Sequence, residues 1–394
     1  MTDVDLVHLA GELEAGQVDP RQASDIAAKV PAREPWGHQV STLIADAIDA
    51  YTEANRPKAW AAATIAGAAA KGWGNLQGAI DVQARALAVL SLIEADEGHD
   101  ERASQLRRDS ERMLGKMSDP TPARFSIDVT AAQREVRLGR AGEAVKMLEG
   151  VLKLPSLTEN QRAAAQAVLA GALQAEGRPQ EAIENLKVTA GTFDRAGRPT
   201  AALEADLERA IHLLQAGETT EARAVLNQVA QSAAATGADT VQLHARMRLG
   251  VIAAGAGEHE TSAAEFQQAA AAAKRVGDDA NVVVALRNAG DELRMHGNLA
   301  GAEQSLNEAL SLGFNPRIAL DMAKAKYVLA VVRHQQGNQA EAERLLNEAE
   351  GDFKRKVREL GSNAASAARD HIRAQISQVE SLRAQMSRAH GDRG

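Results

Sequence analysis

Apolar residues recur three or four positions apart along most of this chain, in stretches broken by glycine. The pattern is clearest between Asp279 and Leu312. Val283, Leu286, Ala289, Gly290 and Leu293 fall on one face of a helix, with charged and amide residues opposite. Gly297-Asn298 follows, a pair that tolerates the left-handed geometry of a helix C-terminus. A second stripe, Ala302, Leu306, Ala309 and Leu310, then begins. The segment predicts a hairpin of helix A, a short glycine turn and helix B.

The hairpin repeats. Turn glycines stand at Gly139, Gly177, Gly217, Gly257, Gly297 and Gly337, separated by 38, 40, 40, 40 and 40 residues. Five residues after each come Ala144, Ala182, Ala222, Ser262, Ala302 and Ala342; nine after come Leu148, Leu186, Leu226, Phe266, Leu306 and Leu346. Seven before each stand Ala132, Ala170, Ala210, Gly250, Gly290 and Ala330. Small residues at both places let two helices cross closely. A fixed period of this length predicts stacked supersecondary units.

Backwards, Gly98, Asn55-Arg56-Pro57 and Gly16 continue the series at spacings of 41, 43 and 39, which predicts about nine hairpins. A rival turn at Gly74-Asn75 echoes Gly297-Asn298 but falls out of register. Trp36, Trp60 and Trp73 all lie in this first part. The expected organisation is degenerate helical repeats or a cap over 1–119, a regular array of about six repeats over 120–351, and a C-terminal segment over 352–394. Met117 to Pro122, with two prolines, is the expected internal joint. The C-terminal segment opens with the basic run Lys354, Arg355, Lys356 and Arg358, then reads as one polar helix from Ser362 to Ala389. Its thin stripe of Ile372, Val379, Leu382 and Met386 suits a solenoid cap or a coiled-coil contact with a second copy.

Composition narrows the class. The chain has 394 residues, 45% hydrophobic but only 3% aromatic, so its apolar content is largely alanine and leucine and an all-α fold follows. It has no cysteine, which excludes disulfides and thiolate chemistry and suits a reducing compartment. Met1-Thr2-Asp3-Val4-Asp5 is acidic and carries no signal-peptide pattern, so a cytoplasmic location is expected. The net charge of −8 argues against general nucleic-acid binding.

Leu249-Gly250 in helix A, a turn glycine, then Ala-x3-Phe/Leu-x2-Ala in helix B resembles the tetratricopeptide repeat. The forty-residue period, with Gly277-Asp278-Asp279 at the seam, looks like the variant with longer helices. The match runs from about Thr121 to Gly351, although Ala253, Leu293 and Arg333 replace the usual helix-A aromatics. The resemblance implies a right-handed α-solenoid closed by a long C-terminal capping helix. It also implies that helix A lines a concave groove and reads ligands through its outward positions.

Mapped by distance from the turn glycine, those positions hold His244, Met247, Arg248 and Val251 in one unit. The next holds Val284, Arg287, Asn288, Asp291 and Arg294, and the one after holds Lys324, Tyr327, Val328, Val331 and His334. Earlier units carry Ala164, Ala167 and Val168, then Glu204 and Glu208, so the face turns basic between Glu208 and Arg248. Arginine forks beside an asparagine suit carboxylates. The candidate partner-binding residues are therefore His244, Arg248, Arg287, Asn288, Asp291, Arg294, Lys324, Tyr327 and His334, facing an acidic or C-terminal peptide. The same cations could instead pair with Asp291 and Glu292 along a solvated face.

No constellation for catalysis stands out. The ten histidines form no His-x3-His pair, and no phosphate loop or nucleophile elbow is present. No cofactor or metal is expected. The expected function is a non-catalytic scaffold or adapter holding a peptide or helix of a partner, with a ligand-sensing regulator that changes curvature as the alternative.

Overall fold

The computed structural model describes residues 4–33, 36–313, 317–360 and 366–391, and the side chains of the last helix over 369–387. The described residues form nineteen α-helices and no strand. They divide into two compact units, Met1–Arg198 and Pro199–Gly394.

The first unit is a stack of five hairpins. They are α1 (Leu6–Glu14) with α2 (Pro20–Ala27), α3 (Trp36–Thr52) with α4 (Arg56–Gly72), and α5 (Gln77–Asp96) with α6 (Asp100–Leu114). Then come α7 (Thr121–Arg137) with α8 (Ala141–Val151) and α9 (Glu159–Ala175) with α10 (Pro179–Arg195). One apolar cluster runs from Leu6 to Ile93, through α1 to α5. Trp36 and Trp73 donate their indole N–H groups to the carbonyls of Val4 and Val30, at 2.9 and 2.8 Å, and so tie together segments 32 and 43 residues apart. Gly74 lies between α4 and α5, so the rival turn joins two hairpins rather than two arms of one.

The second unit holds four more: α11 (Pro199–Gln215) with α12 (Thr219–Thr236), α13 (Asp239–Gly255) with α14 (His259–Arg275), α15 (Asp279–Met295) with α16 (Leu299–Leu310), and α17 (Ala319–Gln335) with α18 (Gln339–Leu360). The last helix is α19 (Ser366–Gly391). Odd-numbered helices up to α17 are A helices, and their even-numbered partners are B helices. The nine hairpins match the expected number, and the fold is an all-α solenoid of tetratricopeptide-like repeats.

Each regular turn closes in the same way. The six turn glycines have φ between 73° and 87°, the left-handed region that a Cβ strains. The residue after each glycine donates its backbone N–H to the carbonyl five positions back: Arg140 to Glu135, Arg178 to Leu173, Glu218 to Leu213, Glu258 to Ala253, Asn298 to Leu293 and Asn338 to Arg333. These bonds measure 2.8 or 2.9 Å. They satisfy carbonyls that a helix end would otherwise leave open.

The close crossing of A on B is equally direct. A Cβ at Gly290 would stand 2.6 Å from Leu306 Cγ and 3.2 Å from the carbonyl oxygen of Ala302. At Gly250 it would stand 2.8 Å from the Phe266 ring. There Ser262 also donates its hydroxyl to the Gly250 carbonyl at 2.8 Å.

The basic run 354–358 belongs to α18, which continues unbroken to Leu360. Helix α19 packs along α18 and touches α17. Its stripe of Ile372, Val379, Leu382 and Met386 is buried in the same cluster as Phe353, Leu346 and Val332. Arg383 ties it down through Glu343 at 3.0 Å, Glu350 at 2.9 Å and Asn347 at 2.9 Å. This helix is a cap, and the stripe that suited a coiled coil is already taken by its own chain. Residues 362–365 of the expected helix lie outside the described residues.

Candidate functional site

Helices α13, α15 and α17 are each seventeen residues long and keep the same distance to their turn glycines. Equivalent positions therefore line up from one helix to the next. The face they form is polar yet largely covered.

Its centre is an ion network across α15 and α17. Arg287 donates through Nη2 and Nε to Asn288 Oδ1 at 2.9 and 3.3 Å. Its Nη1 lies 3.6 Å from Asp321 Oδ1, and Lys324 Nζ lies 3.7 Å from the same oxygen. Arg294 donates to Asp291 Oδ1 at 2.8 and 2.7 Å, and its Nη2 also reaches Met295 Sδ at 3.1 Å. Only 18% of the Arg287 side chain is exposed. Burial pulls its guanidinium below the ordinary arginine value, against the charges of Asp321 and Asp291. Tyr327 is half-buried beside them. Burial and then the Asp291 carboxylate raise its phenol, while Arg294 opposes.

Arg248, on α13, is different. Its Nε is buried without a hydrogen-bond partner, and its guanidinium makes no ion pair or hydrogen bond among the described residues. Its charge is felt by Glu208 on α11, whose carboxyl lies below the ordinary glutamate value. The hydrogen bond with His212 is the main cause, burial opposes it, and the charges of His212 and Arg248 add to it. One turn beyond Arg248, Val251 is 60% exposed, an apolar group open on a polar face.

The structure thus gathers Arg287, Asn288, Asp291, Arg294, Lys324 and Tyr327 and sets Arg248 beside Glu208. His334 is drawn to the turn, with Nδ1 2.9 Å from Gln339 Oε1. His244 is exposed and acts electrostatically on Asp278, the N-cap of α15. Asp321 escaped the sequence reading, although it precedes Lys324 by three residues on the same helix face. Glu292, expected to pair with the arginines, lies 2.8 Å from His259 Nδ1 instead.

A second network, in the first unit, was invisible in sequence. Asp96, with 3% of its side chain exposed, accepts from Tyr51 Oη at 2.9 Å, Arg134 Nε at 2.5 Å and Arg56 Nη2 at 3.3 Å. Arg137 lies over the Tyr51 ring at 4.7 Å and donates to the carbonyls of Tyr51 and Thr52 at 2.8 and 3.0 Å. Burial pushes the Asp96 carboxyl up, but the hydrogen bonds from Arg134 and Tyr51 and the nearby positive charge outweigh it. It sits below the ordinary aspartate value. The network joins the C-terminal ends of α3, α5 and α7.

Glu94, Glu97 and His99 place their ligand atoms within 4.8 Å of one another. Glu94 is already held by Arg102 Nε at 2.6 Å and by His99 Nδ1 at 2.8 Å, so the cluster reads as a surface ion network. No helix among the described residues is long and apolar enough to cross a membrane.

Residues 287–355 match the family model described as a tetratricopeptide repeat. Among solved structures, the apo form of RapI superposes with a TM-score of 0.56 at 10% identity, over 90% of this chain and 98% of that one. Aspartyl phosphate phosphatase F from Bacillus subtilis gives 0.48 at 9% identity, over 89% and 96%. The apo quorum sensor NprR from B. thuringiensis gives 0.42 at 10%, over 79% and 97%. At 10% identity the likeness to RapI is one of fold. No curated protein sequence matches the chain.

Proposed function

We propose that this chain, a member of the tetratricopeptide repeat family, is a non-catalytic interaction module that holds an acidic peptide segment against the A-helix faces of α13, α15 and α17. The observation that carries this reading is Arg248, a partly covered guanidinium with no hydrogen bond or ion pair among the described residues, beside the exposed Val251. A buried donor left unpaired is unfavourable, and a ligand carboxylate relieves it. The arginines at 287 and 294 are already engaged by Asn288, Asp321 and Asp291. Their role in this reading is to hold a preorganised wall rather than to make the first contact. Asn288 and Tyr327 supply neutral hydrogen-bonding groups along the same wall.

An array of random peptides probed with the wild-type protein and with Arg248→Glu tests the reading. Binders enriched in Asp, Glu or a free C-terminus, lost in the variant, support it. Binders with no acidic bias, or binding indifferent to Arg248→Glu, contradict it.

A further inference from the structure

Two B-to-A seams of the first unit lack packing along their length, α2 to α3 and α6 to α7, and the second opens a cleft. Helix α4 packs along α5, α8 along α9, α12 along α13, α14 along α15 and α16 along α17. Helix α6 does not pack along α7 in this way. The two meet near their joined ends, where Leu114 and Met113 cluster with Ala123 and Ile127 and Arg124 pairs with Glu111 at 2.7 Å. The link between them contains Pro120, with Pro122 just inside α7. Farther along, the helices leave a cleft of about 490 Å³ between the α5–α6 and α7–α8 hairpins. That volume falls within the roughly 300–1,000 Å³ of small-ligand sites.

The cleft has an apolar floor and, on one wall, a half-buried carboxylate with no ion pair or hydrogen bond among the described residues. Leu92, Ile127 and Met147 line it, with Asp128 on the α7 wall. Three other charged groups of the lining are spent: Glu111 on Arg124, Arg134 on Asp96, and Glu135 on Arg134 and Arg140. Asp128 is half-buried, yet among the described residues it accepts no hydrogen bond and forms no ion pair. Burial pushes its carboxyl above the ordinary aspartate value. Arg124 pulls it down more than Glu111 pushes it up, but among the described residues neither makes an ion pair with it. Arg107 stands exposed in the lining and is not among the charges acting on Asp128.

We infer that this cleft is a second binding site, separate from the α13–α17 face. It takes a cationic amphipathic segment, with a lysine or arginine head on Asp128 and an adjoining apolar side chain against Leu92, Ile127 and Met147. The charge complementarity is specific, because a carboxylate partly removed from water gains most from a cation that arrives with hydrogen-bond donors. The apolar floor demands a ligand that is greasy next to its charge.

Methyl NMR of the full chain, titrated with n-hexylammonium and n-hexylguanidinium and with n-hexanol as the uncharged control, tests the site. In the wild type the cations shift the Met147 and Ile127 methyls saturably, and the alcohol binds about tenfold or more weakly. In Asp128→Asn that difference between cation and alcohol disappears. A thermal melt accompanies the titration. Asp128→Asn melts no lower than wild type, because the variant removes a half-buried charge that no hydrogen bond or ion pair among the described residues holds. Absence of shifts at these two methyls overturns the site. So do equal shifts from cation and alcohol, or cation binding unchanged in Asp128→Asn. Arg248→Glu leaves this binding intact, which separates the site from the acidic-peptide face.

Discussion

Asp96 is where a single residue holds the most structure. Replacing it with alanine strips Arg134 of one of its two carboxylate partners, frees Tyr51 Oη and loosens the joint ends of α3, α5 and α7. Breaking a buried ion pair from one side costs about 3–5 kcal/mol, so Asp96→Ala is expected to lower the urea midpoint of the first unit markedly. The pH dependence follows from the depressed carboxyl. A folded-state value below the unfolded one contributes stability above the ordinary aspartate value, and that contribution is lost as pH falls through the folded value. The gap between wild type and Asp96→Ala should therefore close in acid; a constant gap would mean that Asp96 acts through packing alone. This network could not be read from sequence, because Asp96 and Arg134 are 38 residues apart and Arg137 reaches Tyr51 over 86. Periodicity places a residue on a face; it does not say which distant charge faces it. The same limit hid Asp321, while the row from Arg248 to Tyr327 was legible because equal distance from a turn glycine means equal position on the face.

Among the elements, the A–B hairpin was the most legible, for steric reasons. A left-handed turn and a close crossing each admit few residue types, so Gly297 and Gly290 announce their geometry. Gly290→Ala is informative because two effects oppose. Alanine improves helix propensity by about 1 kcal/mol, while overpacking against Leu306 and the Ala302 carbonyl costs about 1–3 kcal/mol. A lower denaturation midpoint is expected, and an unchanged or raised one would refute the close crossing. The cap was legible only as a choice between roles. Packing decided it, because the seven-residue stripe of α19 meets Phe353 and its neighbours in the same chain. Truncation after Leu360 uncovers that surface, and each buried apolar side chain contributes about 1.5–3 kcal/mol. The truncated chain should melt earlier and bind an apolar dye. Unchanged melting would show that α19 contributes no cap.

Across the whole molecule, the period itself reported the nine hairpins, including the three irregular ones built on Gly16, Asn55 and Gly98. It did not report the division into two compact units. Gly177 and Gly217 stand forty residues apart across Arg198 and Pro199, so no change in spacing marks the boundary. Nor did it report the splay of α6 from α7, beyond the proline-bearing link between them. The central claim belongs to the second unit: its A-helix face receives an acidic segment through Arg248. Affinity capture with crosslinking mass spectrometry, on wild type and Arg248→Glu, measures this most directly. The account predicts crosslinks from α13, α15 and α17 to an acidic stretch of a partner, lost in Arg248→Glu while the fold persists by circular dichroism. Crosslinks that survive the substitution, or that map to the B helices, would contradict it.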